Sequence, residues 1–303
     1  GGAGFIGSHL VESLIEKGTK ITIVDNFSTG RLSNLQQVSN QFTLVNADIG
    51  ELDIGSVGVF DACIHLAAQT SVPLSVDNFK SSSLDNLSGT INVIDFCRTH
   101  HLPLVYASSS AVYGNLEHGC DDDEQMDLIS PYAVDKCVME TYARMAHSLY
   151  GLRSLGLRFF NVYGPRQDPS SPYSGVISIF LDRLLNDKPL TINGGYQTRD
   201  FIYVADVVRA IECSLDLLKT QNICEVSNVL TGTSITIETL VEVISTLTNK
   251  TPQLVHLPLP LGDPEKSGGS TTRMTNLLGI DASLLMNIEE GLYSTLGYIL
   301  NER

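Results

Sequence analysis

Gly1-Gly2-Ala3-Gly4-Phe5-Ile6-Gly7-Ser8-His9-Leu10-Val11 opens the chain. Glycines at 1, 4 and 7 stand directly before a segment of helical period. Side chains there would block a pyrophosphate from a helix N-terminus, where amide N–H groups and the helix dipole receive negative charge. Glycine-rich turns also serve tight packing, so the residues that follow carry weight. The next β-branched run, Ile21 to Val24, ends in Asp25, placed as a carboxylate that binds adenosine ribose hydroxyls and repels a 2′-phosphate. A cap or turn residue is the other reading of Asp25. As a ribose ligand it favours NAD over NADP, and Arg31 stands close enough to soften that preference. A turn of this kind is aimed by a buried strand in front of it. The numbering is therefore expected to begin inside the protein, with roughly eight residues of first strand before it.

Working outward, short β-branched runs alternate with longer segments of helical period, as in a parallel sheet covered by helices on both faces. Strands are expected at Lys20–Val24, Phe42–Asn46, Ala62–Leu66, Leu104–Ala107 and Ser154–Arg158. Helices are expected at Gly7–Lys17, Asp85–Thr99 and Pro131–Tyr150. These units predict an α/β protein with a doubly wound, parallel-sheet Rossmann domain over 1–163. Residues 164–303 are expected to form mainly a smaller α/β substrate domain, with segments returning to the first sheet. Pro, Gly and Ser accumulate from Gly164 to Pro172, in a loop long enough to be functional. Beyond it a helix is expected near Val176–Leu185, a strand near Leu190–Asn193, helices near Ala205–Leu218 and Ile237–Thr248, and a loop-rich tail before a final helix.

The 303 residues carry 34 acidic and 19 basic side chains, a net charge of −15, which argues against broad neutralisation of nucleic-acid phosphates. Hydrophobic residues make up 43% and charged residues 17%, ample for a packed core. No apolar run approaches the roughly 20 residues of a membrane span, and the opening lacks the pattern of a signal peptide. Neither nucleic acid nor membrane is expected as a partner. Cysteines at 63, 97, 120, 137, 213 and 224 form no Cys-x-x-Cys pair, so a reduced, cytoplasmic setting is expected. His100 and His101 lack thiol or carboxylate neighbours at ligand spacing, and no metal site is expected. Asp121 to Glu124 read as a solvated loop.

The densest chemistry lies in Ser108-Ser109-Ser110, at the end of a strand, and Tyr132-Ala133-Val134-Asp135-Lys136, at the start of a helix. Residues four apart share a helix face, so Lys136 can sit beside the Tyr132 phenol. A lysine cation and a positive nicotinamide ring both favour phenolate and lower the tyrosine pKa towards working pH. A serine at the strand end can hydrogen-bond the same substrate oxygen. Asp48 sits where an adenine amino group could be read. Leu66-Ala67-Ala68 lets backbone approach a cofactor. His65, inside an apolar strand, reads as a core histidine.

These residues resemble the extended short-chain dehydrogenase/reductase family, and within it the nucleotide-sugar 4-epimerases, over nearly the whole chain. The likeness rests on Gly1 to Leu10, Val24 to Gly30, Asn86 with Gly89-Thr90, Ser108 to Gly114, Tyr132 to Lys136, Arg158 to Pro165, and Thr198 to Phe201. It implies NAD as cofactor, a UDP-sugar as substrate, and Ser109, Tyr132 and Lys136 as the catalytic set. It implies NAD contacts from Gly1, Gly4, Phe5, Ile6, Gly7, Asp25, Asn26, Ser28, Thr29, Gly30, Asp48, Ile49, Leu66, Ala67, Ala68, Asn86, Ser108 and Phe159, together with Tyr132 and Lys136. Substrate contacts implied are Ser71, Ser109, Ser110, Asn161, Val176, Arg199, Asp263 and Ser267, with Asn161 and Arg199 on the diphosphate. A guanidinium fork suits phosphate oxygens; an ion pair with Asp200 is the other reading of Arg199.

In such enzymes the sugar loses hydride from C4 and its hydroxyl proton to the tyrosine, turns as a 4-keto sugar, and regains hydride on the opposite face. Related dehydratases resemble a Thr-Asp-Glu run at the strand end, and decarboxylases carry a glutamate there. Ser110 and Ala111 occupy those places here, which favours epimerisation. The chain departs from the epimerase pattern at Thr70, where many members have lysine, at Pro260, where an arginine is usual, and over Gly269 to Arg273. Arg166, Arg199 and Arg273 are the cations that could compensate for Pro260. By resemblance, a bulky tyrosine at the place of Ser267 excludes a C2 acetamido group. A serine there implies UDP-GlcNAc and UDP-GalNAc as substrates alongside UDP-glucose and UDP-galactose, unless Ser267 is merely a loop residue. Surplus apolar residues on the helices at 85–99 and 131–150, as in relatives, imply a homodimer through a helix bundle. A regulator that binds NAD without chemistry is the contrasting hypothesis, and it has no physical need for a phenol beside a lysine.

Overall fold

The computed structural model describes residues 1–170, 175–260 and 262–301. In chain order the elements are α1 (Phe5–Glu16), β1 (Ile21–Asp25), β2 (Phe42–Asn46), β3 (Cys63–His65), α2 (Val72–Asp77), α3 (Phe79–Thr99), β4 (Leu104–Ser109), α4 (Pro131–Tyr150), β5 (Ser154–Phe159), β6 (Asn161–Tyr163), α5 (Val176–Leu185), β7 (Leu190–Asn193), β8 (Thr198–Tyr203), α6 (Val204–Thr220), β9 (Cys224–Val229), β10 (Ser234–Thr236), α7 (Ile237–Thr248), β11 (Leu254–Leu257), α8 (Thr272–Leu278) and α9 (Ile288–Asn301). Ser171 and Pro172 of the Pro-rich stretch, and Leu261, lie outside the described residues.

Two parallel ladders dominate. β1 pairs with β2, and a four-stranded ladder runs in the order β3-β4-β5-β9. Successive strand residues point to opposite faces, and β4 shows what each face meets. Leu104 and Tyr106 join Val93, Phe96, Met139 and Ala143 beneath α3 and α4. Val105 joins Leu155, Leu157, Val207 and Ile211 on the face carrying α1, α6 and α8. Helices therefore cover both faces, as a doubly wound sheet requires. β9 comes from the second half of the chain and extends this sheet at its β5 edge.

A second core gathers Tyr163, Ile177, Phe180, Leu181, Ile192, Leu240 and Leu292 from β6, α5, β7, α7 and α9. Its strands form a β10-β8-β6 sheet, antiparallel between β10 and β8, and a parallel β11-β7 pair. Asp200 in β8 is fully buried and accepts from the backbone N–H groups of Thr231 and Gly232 at 2.9 and 2.7 Å. That fixes the turn following β9 against the second core. Among the described residues, no helix is long and apolar enough to cross a membrane.

Candidate active site

The carboxyl ends of β1, β3, β4 and β5 open into one cleft of about 1340 Å³, walled by Asp25, Leu66, Ser109 and Phe159 among others. Ligands of open α/β sheets bind in this crevice, and its volume exceeds the roughly 300–1,000 Å³ of a site for one small molecule. At one end α1 starts behind Gly4, which offers no side-chain cap. The first-turn N–H groups of Phe5, Ile6 and Gly7, on the cleft wall, are donors suited to an anion. A Cβ on Gly7 would lie 2.2 Å from Gly1 O, and one on Gly1 would lie 2.6 Å from Ala67 N. Those two glycines answer to backbone packed on backbone, which brings the end of α1, the turn and the exit from β3 into a single wall.

Asp25 is buried and accepts from Ala3 N and Phe27 N, both at 2.9 Å. It is a turn residue and a cleft residue at once, since a carboxylate has about four lone-pair positions and two remain. Asn26 donates to Asp48 at 2.8 Å and accepts from Ser28 N at 3.0 Å. These residues line the same end with Thr29, Gly30, Ile49, Ala67 and Ala68. Three ties cross its rim. His9 Nε2 lies 3.0 Å from Pro165 O, Arg166 Nη2 contacts both carboxylate oxygens of Glu12 at 2.7 Å, and Arg31 pairs with Asp168.

The reacting end is set by the start of α4. Ser130 Oγ accepts from Ala133 N at 3.2 Å and Pro131 occupies the first turn, the combination that begins helices. Tyr132 thus lies one turn before Lys136, and its N–H donates to Ser75 Oγ of α2 at 3.2 Å. Lys136 Nζ donates to Ala107 O at 2.7 Å and stands 5.6 Å from the centre of the Tyr132 ring. Ser109, whose Oγ accepts from Ala111 N at 3.1 Å, stands near enough to the Tyr132 phenol to lower its pKa. Burial pushes that phenol up to about 12, with Ser109 working against the rise and Asp135 adding to it. Burial also pulls Lys136 down to about 8, against Asp135 and Glu140. Desolvation sets the direction for the phenol, and Lys136, expected to lower it together with a nicotinamide ring, spends its hydrogen bond on a carbonyl. His65 is buried and pulled down to about 3 by desolvation and by Lys136, which makes it a neutral core histidine.

At the far end Arg199 Nη2 meets Asp263 Oδ1 at 2.5 Å and Arg199 Nη1 donates to Thr198 O at 2.7 Å. The partner is Asp263 and not the adjacent Asp200, whose carboxylate is held by the turn after β9. Asn161 Nδ2 donates to Asp200 O at 3.1 Å and lies 3.4 Å from Ser267 Oγ. Arg199, Asp263, Asn161, Ser267, Ser110 and Ser71 all line the cleft. Ser71 Oγ is committed as the cap of α2, accepting from Leu74 N at 3.1 Å. Of the three arginines considered for Pro260, Arg166 is held by Glu12. Arg273 is outside the cleft wall and pairs with Glu225 at 2.9 Å. Arg199 remains.

Two expected contacts fall elsewhere. Asn86 is buried beside the cleft with its amide consumed: Nδ2 donates to Gln69 O and Asp135 Oδ2 at 3.2 and 3.0 Å, and Oδ1 accepts from Gln69 N at 2.8 Å. It anchors the Gln69 loop to α4. Val176 packs against the second core, while Gly175 and Ser178 reach the cleft. Asp121 also departs from the solvated-loop reading, being 4% exposed with Oδ2 accepting from Asn228 N at 2.6 Å. Thr295 and Ile299 of α9 also line the cleft, and nothing local in the sequence links them to its motifs. Ser108, expected against the cofactor, does line the cleft but donates to buried Glu140 at 2.5 Å. Sequence reasoning does not single out Glu140; its place four residues after Lys136 is the one local signal for it.

Residues 1–229 match the NAD dependent epimerase/dehydratase family. Among curated proteins, the UDP-glucose 4-epimerase of Mycolicibacterium smegmatis is 38% identical over 219 residues, 69% of this chain and 70% of that protein. The UDP-N-acetylglucosamine 4-epimerase of Methanobrevibacter ruminantium, solved with UDP-N-acetylmuramic acid, superposes with a TM-score of 0.92 at 33% identity, covering 100% of this chain and 97% of that one. The Thermus thermophilus UDP-glucose 4-epimerase, solved with NAD, gives 0.90 at 31% identity, covering 100% and 98%. Matched over most of its length, and with the strand-end cleft such enzymes require, the chain belongs to the NAD dependent epimerase/dehydratase family.

Proposed function

We propose that the protein is an NAD-dependent 4-epimerase of UDP-sugars that interconverts UDP-GlcNAc and UDP-GalNAc and also accepts UDP-glucose and UDP-galactose. The observation that carries this reading is the meeting in one cleft of Ser109, Tyr132 and Lys136 with Arg199, Asn161 and Ser267. The residues present fit a dinucleotide, with the uncapped start of α1 for its pyrophosphate and Asp25 for ribose hydroxyls. NAD, when bound, supplies the hydride chemistry at C4 of the sugar.

As the phenolate, Tyr132 Oη takes the proton of the C4 hydroxyl and, then a neutral phenol, returns it to that oxygen after the sugar has turned. Ser109 holds the same oxygen by its hydroxyl. Lys136 keeps positive charge beside the phenol, which needs such help because burial and Asp135 hold its proton. Arg199 exchanges Asp263 for the diphosphate, where its planar fork donates to two oxygens. Ser110 and Ala111 offer no acid or base, so the C5–C6 side of the sugar is left intact. Ser267 leaves room beside the sugar for an acetamido group. Incubation with UDP-GlcNAc and with UDP-glucose, followed by chromatography, is expected to yield the C4 epimer of each. Elimination or decarboxylation products, or no product from either sugar, would overturn the reading.

A further inference from the structure

Behind the reacting face lies an ion pair almost sealed from water. Glu140 is 0% and Arg158 1% exposed. Arg158 Nε and Nη2 donate to the two carboxylate oxygens at 2.9 and 2.7 Å, and Ser108 Oγ donates to Oε1 at 2.5 Å. Arg158 Nη1 continues to the Tyr113 hydroxyl at 2.8 Å, which donates to Asn228 Oδ1 at 2.7 Å. Replacing such a pair by neutral side chains is often tolerated or stabilising, so stability alone is a weak reason for it.

The pair touches the site at three points. Ser108 precedes Ser109 in β4, the Tyr113 ring lines the cleft, and Glu140 stands one turn beyond Lys136 on the same stripe of α4. Lys136 hydrogen-bonds a carbonyl. The groups that act on it, or that it acts on, are Asp135 and Glu140 of α4 and His65 of β3; the Tyr132 ring faces it. The two carboxylates differ in a way that matters for catalysis. Asp135 favours the lysine cation but also opposes ionisation of Tyr132, whereas Glu140 favours the cation and does not act on the phenol. Only Glu140 supports the lysine cation without being among the groups that raise the phenol.

We propose that Glu140, clamped by Ser108 and Arg158, is a positioning residue that keeps Lys136 charged beside Tyr132. For turnover this rests on the proposed function; for the charge of Lys136 it does not. The test titrates protein labelled with 13C-lysine, following the Cε resonance of Lys136, assigned by its loss in Lys136→Met. In Glu140→Gln/Arg158→Met, which removes both buried charges, the midpoint is expected to fall by about one unit or more, a tenfold loss of proton affinity. Glu140→Gln alone gives a second measurement of the same shift, and Glu140→Asp, which keeps the charge, returns the midpoint towards wild type. In the turnover arm, kcat at pH 8 drops about fivefold or more with KM within about threefold, and the alkaline limb of the profile moves down with the midpoint. An unmoved midpoint in a folded variant, or an equal shift in Glu140→Asp, overturns the proposal. A shifted midpoint in a protein that epimerises neither sugar upholds it and overturns the functional reading instead.

Discussion

The Tyr132 hydroxyl can be removed without touching the backbone contacts that hold the start of α4, since Ser75 binds its N–H and Ser130 caps the helix. Tyr132→Phe is therefore expected to keep its fold and NAD affinity and to lose about a hundredfold or more in turnover, the lower range for a missing general acid/base. Near-normal turnover in a folded variant would refute the assignment. The charge on Lys136, at about 8, gives the sign of the pH response: as pH rises through that value the cation is lost, phenolate is less favoured, and kcat falls. Arg199→Ala leaves Asp263 unpaired only at the cleft wall, and its cost should appear as KM for the UDP-sugar raised about 10- to 100-fold, the worth of a charge-assisted hydrogen bond. Ser267→Tyr should suppress activity on UDP-GlcNAc while sparing UDP-glucose; equal loss on both would show that Ser267 forms no gate. Ser109, Tyr132 and Lys136 are legible in sequence because strand end and helix spacing fix them locally. The pairing of Arg199 with Asp263 was not, since it spans 64 positions and competes with the adjacent Asp200. Asn86 and Val176 mark the limit of transferring motifs: each lies near the cleft, and the fold consumes its side chain.

At the level of elements, periodicity gave Phe42–Asn46, Pro131–Tyr150, Val176–Leu185 and Ile237–Thr248 with the bounds the structure has. It failed where burial and polarity part company. β8 carries Arg199 and Asp200 at 8% and 0% exposure, so its pattern does not read as a strand. β6 and β10 are three residues each, too short to show alternation. α3 begins at Phe79, six residues before the apolar period does, because its first turns, Lys80 to Ser83, are polar and lie just after the break at Asn78. The contact of α1 with the opening turn gives a sharp prediction. Gly7→Ala places a methyl against Gly1 O at a distance no packing allows, so α1 must shift away from the turn. NAD affinity is expected to fall about tenfold or more, the scale of a lost hydrogen-bonded anion contact, with far-UV circular dichroism unchanged. Unaltered affinity would show that the anion is bound elsewhere.

On the molecular surface, α3 and α4 expose Leu84, Ile91, Val134, Met145 and Leu149 at 57%, 48%, 42%, 40% and 65%, while Ile94, Phe96 and Met139 of the same helices are buried. One face of each helix covers the sheet and another remains apolar, which suits a two-fold helix bundle. Light scattering is expected to give a dimer at micromolar concentration, and Ile91→Glu/Met145→Glu a monomer; a monomeric wild type would refute this. A different consequence follows from the three ties that fasten residues 165–168 to α1 and Arg31. If a dinucleotide seated on α1 leaves by that rim, these ties part first, and the cofactor then acts as a lodged prosthetic group and not as a soluble co-substrate. Turnover would then follow the supply of sugar nucleotide alone and be indifferent to the cell's balance of oxidised and reduced pyridine nucleotides.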